Sequence, residues 1–492
     1  MSKLLFTPVW SKRYGIIIEQ HQQQYHLYHR PDVQPQPLMS ALRVCGANTP
    51  LTELSEPQFT EKLVLLLHQS EHEASQVMAG LSDDLDMYQL AEVLPGHEEL
   101  MKDENNPPIV KLINSILTQA LKELASDIHI ETFEQRVLIR FRLDGVLHKR
   151  LEPDRRLSAV LVSRLKIMAR LDIAEKRKPQ DGRISLRLLD RAIDVRVSVL
   201  PSSHGERIVL RLLDKDAVRL ELQRLGMSAS LRKQICHLVS KPNGIILVTG
   251  PTGSGKSSTL YAMINELDHE RLNIMTIEDP VEYDIADISQ TQVNPKVEMT
   301  FASGLRAILR QDPDVILIGE IRDRETAQIA VQASMTGHLV LSTLHTNTAV
   351  GALTRLQDMG VEPFLLASAL NAVLAQRLVR RLCQHCRKPI ALSRQDCASL
   401  GLDWQPDWVV YQAQGCEHCF HTGYHGRTVI QELLTVNEAL RSGIHQQKSE
   451  GELLDLLGRN QSLRRDGLDK VLKGITSIEE VIRATGEGGE HE

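Results

Sequence analysis

The stretch Gly250-Pro251-Thr252-Gly253-Ser254-Gly255-Lys256-Ser257 fits G-x-x-x-x-G-K-[ST] and leaves a chain few folds to choose from. Its glycines let backbone N–H groups turn inward around phosphate oxygens. Lys256 brings a point charge to the β/γ-phosphates, and the Ser257 hydroxyl is placed to ligate Mg²⁺. Such a loop needs a strand leading in and a helix leading out. Ile245–Thr249 reads as the strand, and Ser258–Leu267 reads as a helix whose N-terminus adds its own preference for anions. All eight loop residues are therefore candidates for binding ATP.

Buried-strand runs then alternate with helical stretches: Gly244–Thr249, Ile274–Ile277, Val315–Ile318 and Leu339–Thr343. Continuous apolar strands separated by helices predict a parallel sheet covered on both faces, an α/β fold. In such sheets ligands bind at the C-terminal ends of the strands. Glu278 ends the second run and is a candidate to orient or deprotonate the attacking water. Glu320 follows Val315–Ile318 in a Walker-B-like position, with Gly319 intervening and Glu in place of Asp; it suits Mg²⁺ held through water, with Glu278 as the base, and the reverse assignment is the alternative. His338 and His345 bracket the fourth run, where a histidine could sense a γ-phosphate or simply cap and pack.

Upstream, Ile113, Ile116, Leu117, Ala120, Leu121 and Leu124 recur at helical spacing. Strand-like runs at Asp127–Glu131, Val137–Leu143, Arg183–Leu188 and Ile193–Val197 and a helix over Leu157–Leu171 complete an α+β module. Its strands carry Arg140, Arg142, Arg196, Arg207 and Arg211, a reserve of positive charge, since no arginine finger stands beside the P-loop in sequence. Residues 1–95 read as a separate mixed domain, helical around Glu61–His68. The acidic, Pro-bearing segment 96–108 reads as a linker.

Four of the seven cysteines form the pairs Cys383-x-x-Cys386 and Cys416-x-x-Cys419, with 29 residues between them. That pattern suits a closed structural Zn²⁺ site, with His385 and His418 inside the knuckles as possible substitute ligands. Cys45, Cys236 and Cys397 stand alone. The net charge of −6 and the lack of a basic-aromatic stripe disfavour a nucleic-acid translocase. The retained Lys256, Ser257, Glu278 and Glu320 disfavour a nucleotide-binding scaffold without turnover. No apolar run reaches 18 residues, and Gly15–Ile18 is too brief for a signal peptide, so a cytoplasmic chain is expected.

Ordered motifs extend the reading beyond the P-loop. They are Ala125-Ser126-Asp127-Ile128-His129-Ile130-Glu131, Phe141-Arg142-Leu143-Asp144-Gly145, Pro179–Arg183, Gly205–Arg211, Glu278–Glu282, Leu305–Asp314, Gly319–Asp323, Gly337-His338, Thr343–Asn347 and Gly474–Val481. Together they resemble the secretion superfamily ATPases, most closely those of type II secretion, with type IV pilus extension as the alternative. The resemblance implies a RecA-like P-loop motor over 226–382, preceded by a PAS-like α+β domain (109–218) and a small N-terminal domain. A zinc module (383–425) and a C-terminal helical region (426–492) follow. It also implies a homohexamer that clamps ATP between the α+β domain and the motor, with Arg207 and Arg211 completing the site. Pseudopilus assembly and protein export across the outer membrane would be its work. Residues 1–95 would dock on the cytoplasmic domain of an inner-membrane platform protein, giving peripheral membrane association without lipid insertion and without nucleic acid.

Overall fold

Alternation of apolar and polar residues, broken by glycine turns, organises the chain into two bodies, 1–112 and 113–492. The computed structural model describes residues 107–188, 191–214, 221–392, 408–457 and 462–486, with parts of 2–62. The expected helix over Glu61–His68 apart from Lys62, nearly all of the 96–108 linker and Cys397 lie outside the described residues.

In the first body, β1 (Ser2–Leu4), β2 (Ile16–His21), β3 (Gln24–His29) and β4 (Leu51–Glu53) form one sheet in that order, and α1 spans Pro35–Cys45. The Ile16–Ile18 run, too short for export, is a strand buried on both faces. Ile16 and Ile18 pack with Leu27 and Ala41, while Ile17 packs with Phe59.

Pro107 and Pro108, expected to end a linker, instead open α2 (Pro107–Lys122). A helix's first turn has no intrahelical partners for its N–H groups, so proline costs nothing there. Six antiparallel strands come next: β5 (Asp127–Thr132), β6 (Val137–Leu143), β7 (Val146–Leu151), β8 (Gln180–Leu188), β9 (Arg191–Ser202) and β10 (Gly205–Asp214). Their order is β7-β6-β5-β10-β9-β8, with α3 (Leu157–Met168) after β7. One face of this sheet carries buried Ile128, Ile130, Phe141, Val195, Val197 and Ile208. The period of two puts Asp127, His129, Arg140, Arg142, Arg196, Arg207 and Arg211 on the other.

After α4 (Ala229–Val239) comes a seven-stranded sheet. It comprises β11 (Gly244–Thr249), β12 (Ile274–Glu278), β13 (Ser289–Gln292), β14 (Val315–Ile318), β15 (Leu339–Leu344), β16 (Leu370–Leu382) and, beyond the ribbon of β17 (Lys388–Ala391) and β18 (Val409–Gln412), β19 (Tyr424–Thr435). The order is β13-β12-β14-β15-β11-β16-β19, parallel throughout except for the last pair. Separate apolar cores cover its faces, one holding Ile245, Leu247 and Ile316, the other Ile246, Val248 and Leu317. This is the expected parallel sheet. The segment from 426 is not helical at its start, because Thr428–Leu434 pairs along β16. Residues such as Gln431, Glu432 and Leu433 accept either conformation, and cross-strand packing decides.

The last helix, Ile478–Thr485, is capped by Ser477, whose side chain accepts from the Glu480 N–H. Glu480 meets Arg380 at 2.7 Å and Arg483 at 2.8 Å. Burial alone would raise its pKa, yet these bonds outweigh burial and hold it at about 2, against an ordinary 4.5. A depressed carboxylate stabilises the fold above its unfolded pKa and loses that contribution as pH falls toward the folded value, here from 4.5 to about 2. Glu480→Gln should therefore cost roughly 3 kcal/mol at neutral pH. Thermal melts as a function of pH should show the gap to wild type narrowing below pH 4.5.

Candidate nucleotide site and thiolate cluster

β11 is buried along its whole length and delivers the chain to a loop that only glycine can make. Gly253 (φ 78°) and Gly255 (φ 83°) sit in the left-handed region, and a Cβ on Gly250 would lie 2.4 Å from the Gln376 carbonyl oxygen. Helix α5 (Lys256–Ile264) begins directly after Gly255, so its first N–H groups point into the loop. Lys256 Nζ donates to the carbonyls of Gly250 (2.8 Å) and Pro251 (3.1 Å). Burial lowers its pKa to about 8, opposed by the pull of Glu320 and helped by the repulsion of Arg377.

Two residues that sequence reasoning missed stand beside the site, and the first of them holds this loop. Gln376, on β16, donates to Ser254 O at 2.7 Å and accepts from Thr259 Oγ1 at 2.8 Å and Gln431 Nε2 at 2.7 Å. Its legible signal was a polar side chain directly after the apolar run Ala372–Ala375. Arg377, beside it, bonds Asn347 O and Oδ1, both at 3.0 Å. The motor thus places a guanidinium whose charge is felt at Lys256, which the spacing along the chain did not suggest.

The two acids come together at the C-terminal ends of β12 and β14 but in different surroundings. Glu278 is 4% exposed. It accepts bonds from Thr276 Oγ1 (2.6 Å), Gln290 Nε2 (3.2 Å) and the Tyr261 hydroxyl. Glu320 meets Arg322 at 2.5 Å and His345 Nε2 at 3.2 Å, and its charge is felt at Lys256. The loop carrying His345 is tied to the P-loop strand through Thr249 Oγ1 and Thr346 Oγ1, 2.7 Å apart.

His338 does not join this cluster. β15 runs parallel to β11 with Leu339 opposite Gly244, so His338 stands at the opposite end of the sheet from the P-loop. A strand of this length separates the two by roughly 17 Å. Its Nδ1 bonds Ala333 O at 2.8 Å, a packing role.

The arginines of the six-stranded sheet divide similarly. Arg207 pairs with Glu131 at 2.8 Å and Arg211 with Asp127 at 3.0 Å, both within their own sheet. Arg140 also meets Glu131, and Arg142 meets Asp127. Arg196 alone of the five crosses to the motor, to Glu282 at 3.0 Å and Val281 O at 3.0 Å.

In the C-terminal part, the Sγ atoms of Cys383, Cys386, Cys416 and Cys419 all lie within 4.8 Å of one another. Three of the separations are 3.8–3.9 Å. Four thiolates about 2.3 Å from a tetrahedral Zn²⁺ would stand about 3.8 Å apart, so the cluster fits that ion. His385 and His418 stack on each other, centroids 4.0 Å apart, and are not part of the sulfur group. Cys45 and Cys236 stand alone, as expected. Among the described residues, no helix is long and apolar enough to cross a membrane.

Comparison with known proteins places these features. Residues 102–483 match the family model described as "Type II/IV secretion system protein", and residues 9–66 match a domain model of "GSPII protein E". "Type II secretion system protein E" of Aeromonas hydrophila is 56% identical over 481 residues, 97% of this chain and 96% of the relative. "Type II secretion system ATPase E" of Vibrio cholerae serotype O1 is 54% identical over 482 residues, again 97% and 96%. Among solved structures, the pilus retraction motor PilT with bound ADP aligns at 27% identity and TM-score 0.54, covering 77% of this chain and 98% of that one. The chain belongs to the type II/IV secretion system protein family, among the ATPases of type II secretion.

Proposed function

We propose that this chain hydrolyses ATP to ADP and phosphate in order to drive pseudopilus assembly and protein export by a type II secretion system. The observation that carries the reading is the convergence of Lys256, Glu278, Glu320 and His345 at the C-terminal edge of one parallel sheet, in a chain that matches the family from residue 102 to 483. The match over 9–66 to a domain named for protein E favours type II secretion over pilus extension.

In this reading the P-loop N–H groups and Lys256 hold the ATP phosphates, Glu278 orients the attacking water, and His345 reports the γ-phosphate to Glu320. Ser257, with Glu320 through water, would hold Mg²⁺, which offsets phosphate charge. Cys383, Cys386, Cys416 and Cys419 would hold Zn²⁺ as a structural brace. Arg207 and Arg211 would exchange their present carboxylate partners for nucleotide charge in a homohexamer, and a guanidinium in that position contributes roughly 10³–10⁵ in rate. Residues 1–95 would dock on the cytoplasmic domain of a platform protein, placing the motor on the cytoplasmic face of the inner membrane.

The test is export in a bacterium lacking its own secretion ATPase. The full chain should restore release of a secreted reporter, and a chain lacking residues 1–95 should turn over ATP without restoring it. ATP turnover stimulated by DNA, with no export restored by the full chain, would sink the reading.

A further inference from the structure

Tyr261 is among the largest side chains fully withdrawn from water, 1% exposed, and no step above uses it. It stands four residues beyond Ser257 on α5, and residues four apart share a helix face. Its ring is set edge-on against Tyr283, with centroids 6.2 Å apart. The hydroxyl donates to Glu278 Oε2 and accepts from the Glu282 N–H at 3.4 Å. A phenol has a single proton, so accepting from Glu282 directs that proton toward Glu278. The turn that supplies the Glu282 N–H is itself gripped by Arg196, at Val281 O and at the Glu282 carboxylate.

The other oxygen of Glu278 takes bonds from Thr276 and Gln290. A carboxylate offers about four lone-pair positions, and these three donors leave about one open. Resting on the reading of Glu278 as the residue that orients the attacking water, we propose that Tyr261 is its positioning residue. The Tyr261 hydroxyl turns the open lone pair of Glu278 toward that water, and its seat on α5 keeps the carboxylate in register with Lys256 and Ser257. Burial and then the bond to Glu278 push the phenol well above the ordinary tyrosine range, so Tyr261 stays a donor throughout the working pH range.

Steady-state ATP hydrolysis by the full chain tests this. Tyr261→Phe removes one oxygen and keeps the ring. It should lower kcat about tenfold to a hundredfold, the weight of one hydrogen bond to a charged group, while KM for ATP and Tm stay close to wild type. Added to Glu278→Gln, the same change should cause little further loss, because the two residues act as a unit. An unchanged kcat, an equal fold-loss in both backgrounds, or a rise in KM together with a fall in Tm would each overturn the proposal alone. Wild-type turnover by Glu278→Gln would instead overturn the role of Glu278, and this proposal with it.

Discussion

Lys256→Ala is expected to weaken ATP binding about 10- to 100-fold, whereas Glu278→Gln should bind ATP as wild type does and hydrolyse it about 10²–10⁴-fold more slowly. The difference follows from where each group sits. Lys256 lies inside the P-loop, within bonding distance of two of its carbonyls, so its charge is positioned for phosphates in the ground state as well as in the transition state. Burial holds its pKa at about 8, so it is still mostly charged at neutral pH, and bound phosphate would hold it charged more firmly. Glu278 sits at the end of β12, fixed by three donors that come from outside the phosphate-binding loop. Replacing it by glutamine keeps the shape and removes the charge that polarises water. Binding of a fluorescent ATP analogue, paired with phosphate release, separates the two effects. Normal turnover in Glu278→Gln with a dead Glu320→Gln would transfer the base role to Glu320, which lies nearer to His345 and within reach of the field at Lys256.

Zinc removal should have the second large effect. The purified chain is expected to carry one zinc, and Cys416→Ser or a strong chelator should release it and melt the segment around β17 and β18 at a markedly lower temperature. Structural zinc sites in small peptides supply roughly 10–16 kcal/mol of apparent folding free energy. Among the described residues, the apolar cluster of Leu392, Val410, Leu468, Val471 and Val481 that packs the ribbon on the C-terminal helices is small. Burial pushes Cys386 up to about 12. In Cys419 burial is outweighed by N–H bonds from Cys416 and Gly423, which bring it down to about 7. Only a dication makes four adjacent thiolates stable together, so binding should release protons in proportion. Metal analysis with calorimetry, before and after chelation, checks both claims. Well under one zinc per chain, with Tm indifferent to Cys416→Ser, would remove the site.

Everything carried by short-range pattern was legible in the sequence alone. The P-loop is eight consecutive residues, the strands β11, β12, β14 and β15 are mostly apolar runs, and each cysteine pair spans four residues. In each case one local stretch contains both the chemical groups and the conformation they need, so period and spacing suffice. The resemblance to secretion ATPases extended this reach because its motifs are local too.

Tertiary structure decided what depends on pairing between distant segments. β16 and β19 are joined by an antiparallel register between residues some fifty apart, and the local preferences of Gln431–Leu433 could not announce it. Gln376 braces Ser254 across 122 positions, and Arg196, not Arg207 or Arg211, reaches Val281 across 85. His338 and His345 look equivalent in sequence, seven apart around one strand. Strand direction sends one to each end of the sheet, and only the C-terminal end faces the loop. The physical reason is common to all of these. A side chain's backbone preference is set within its own few residues, whereas its partner is chosen by how whole strands and helices bury their apolar faces.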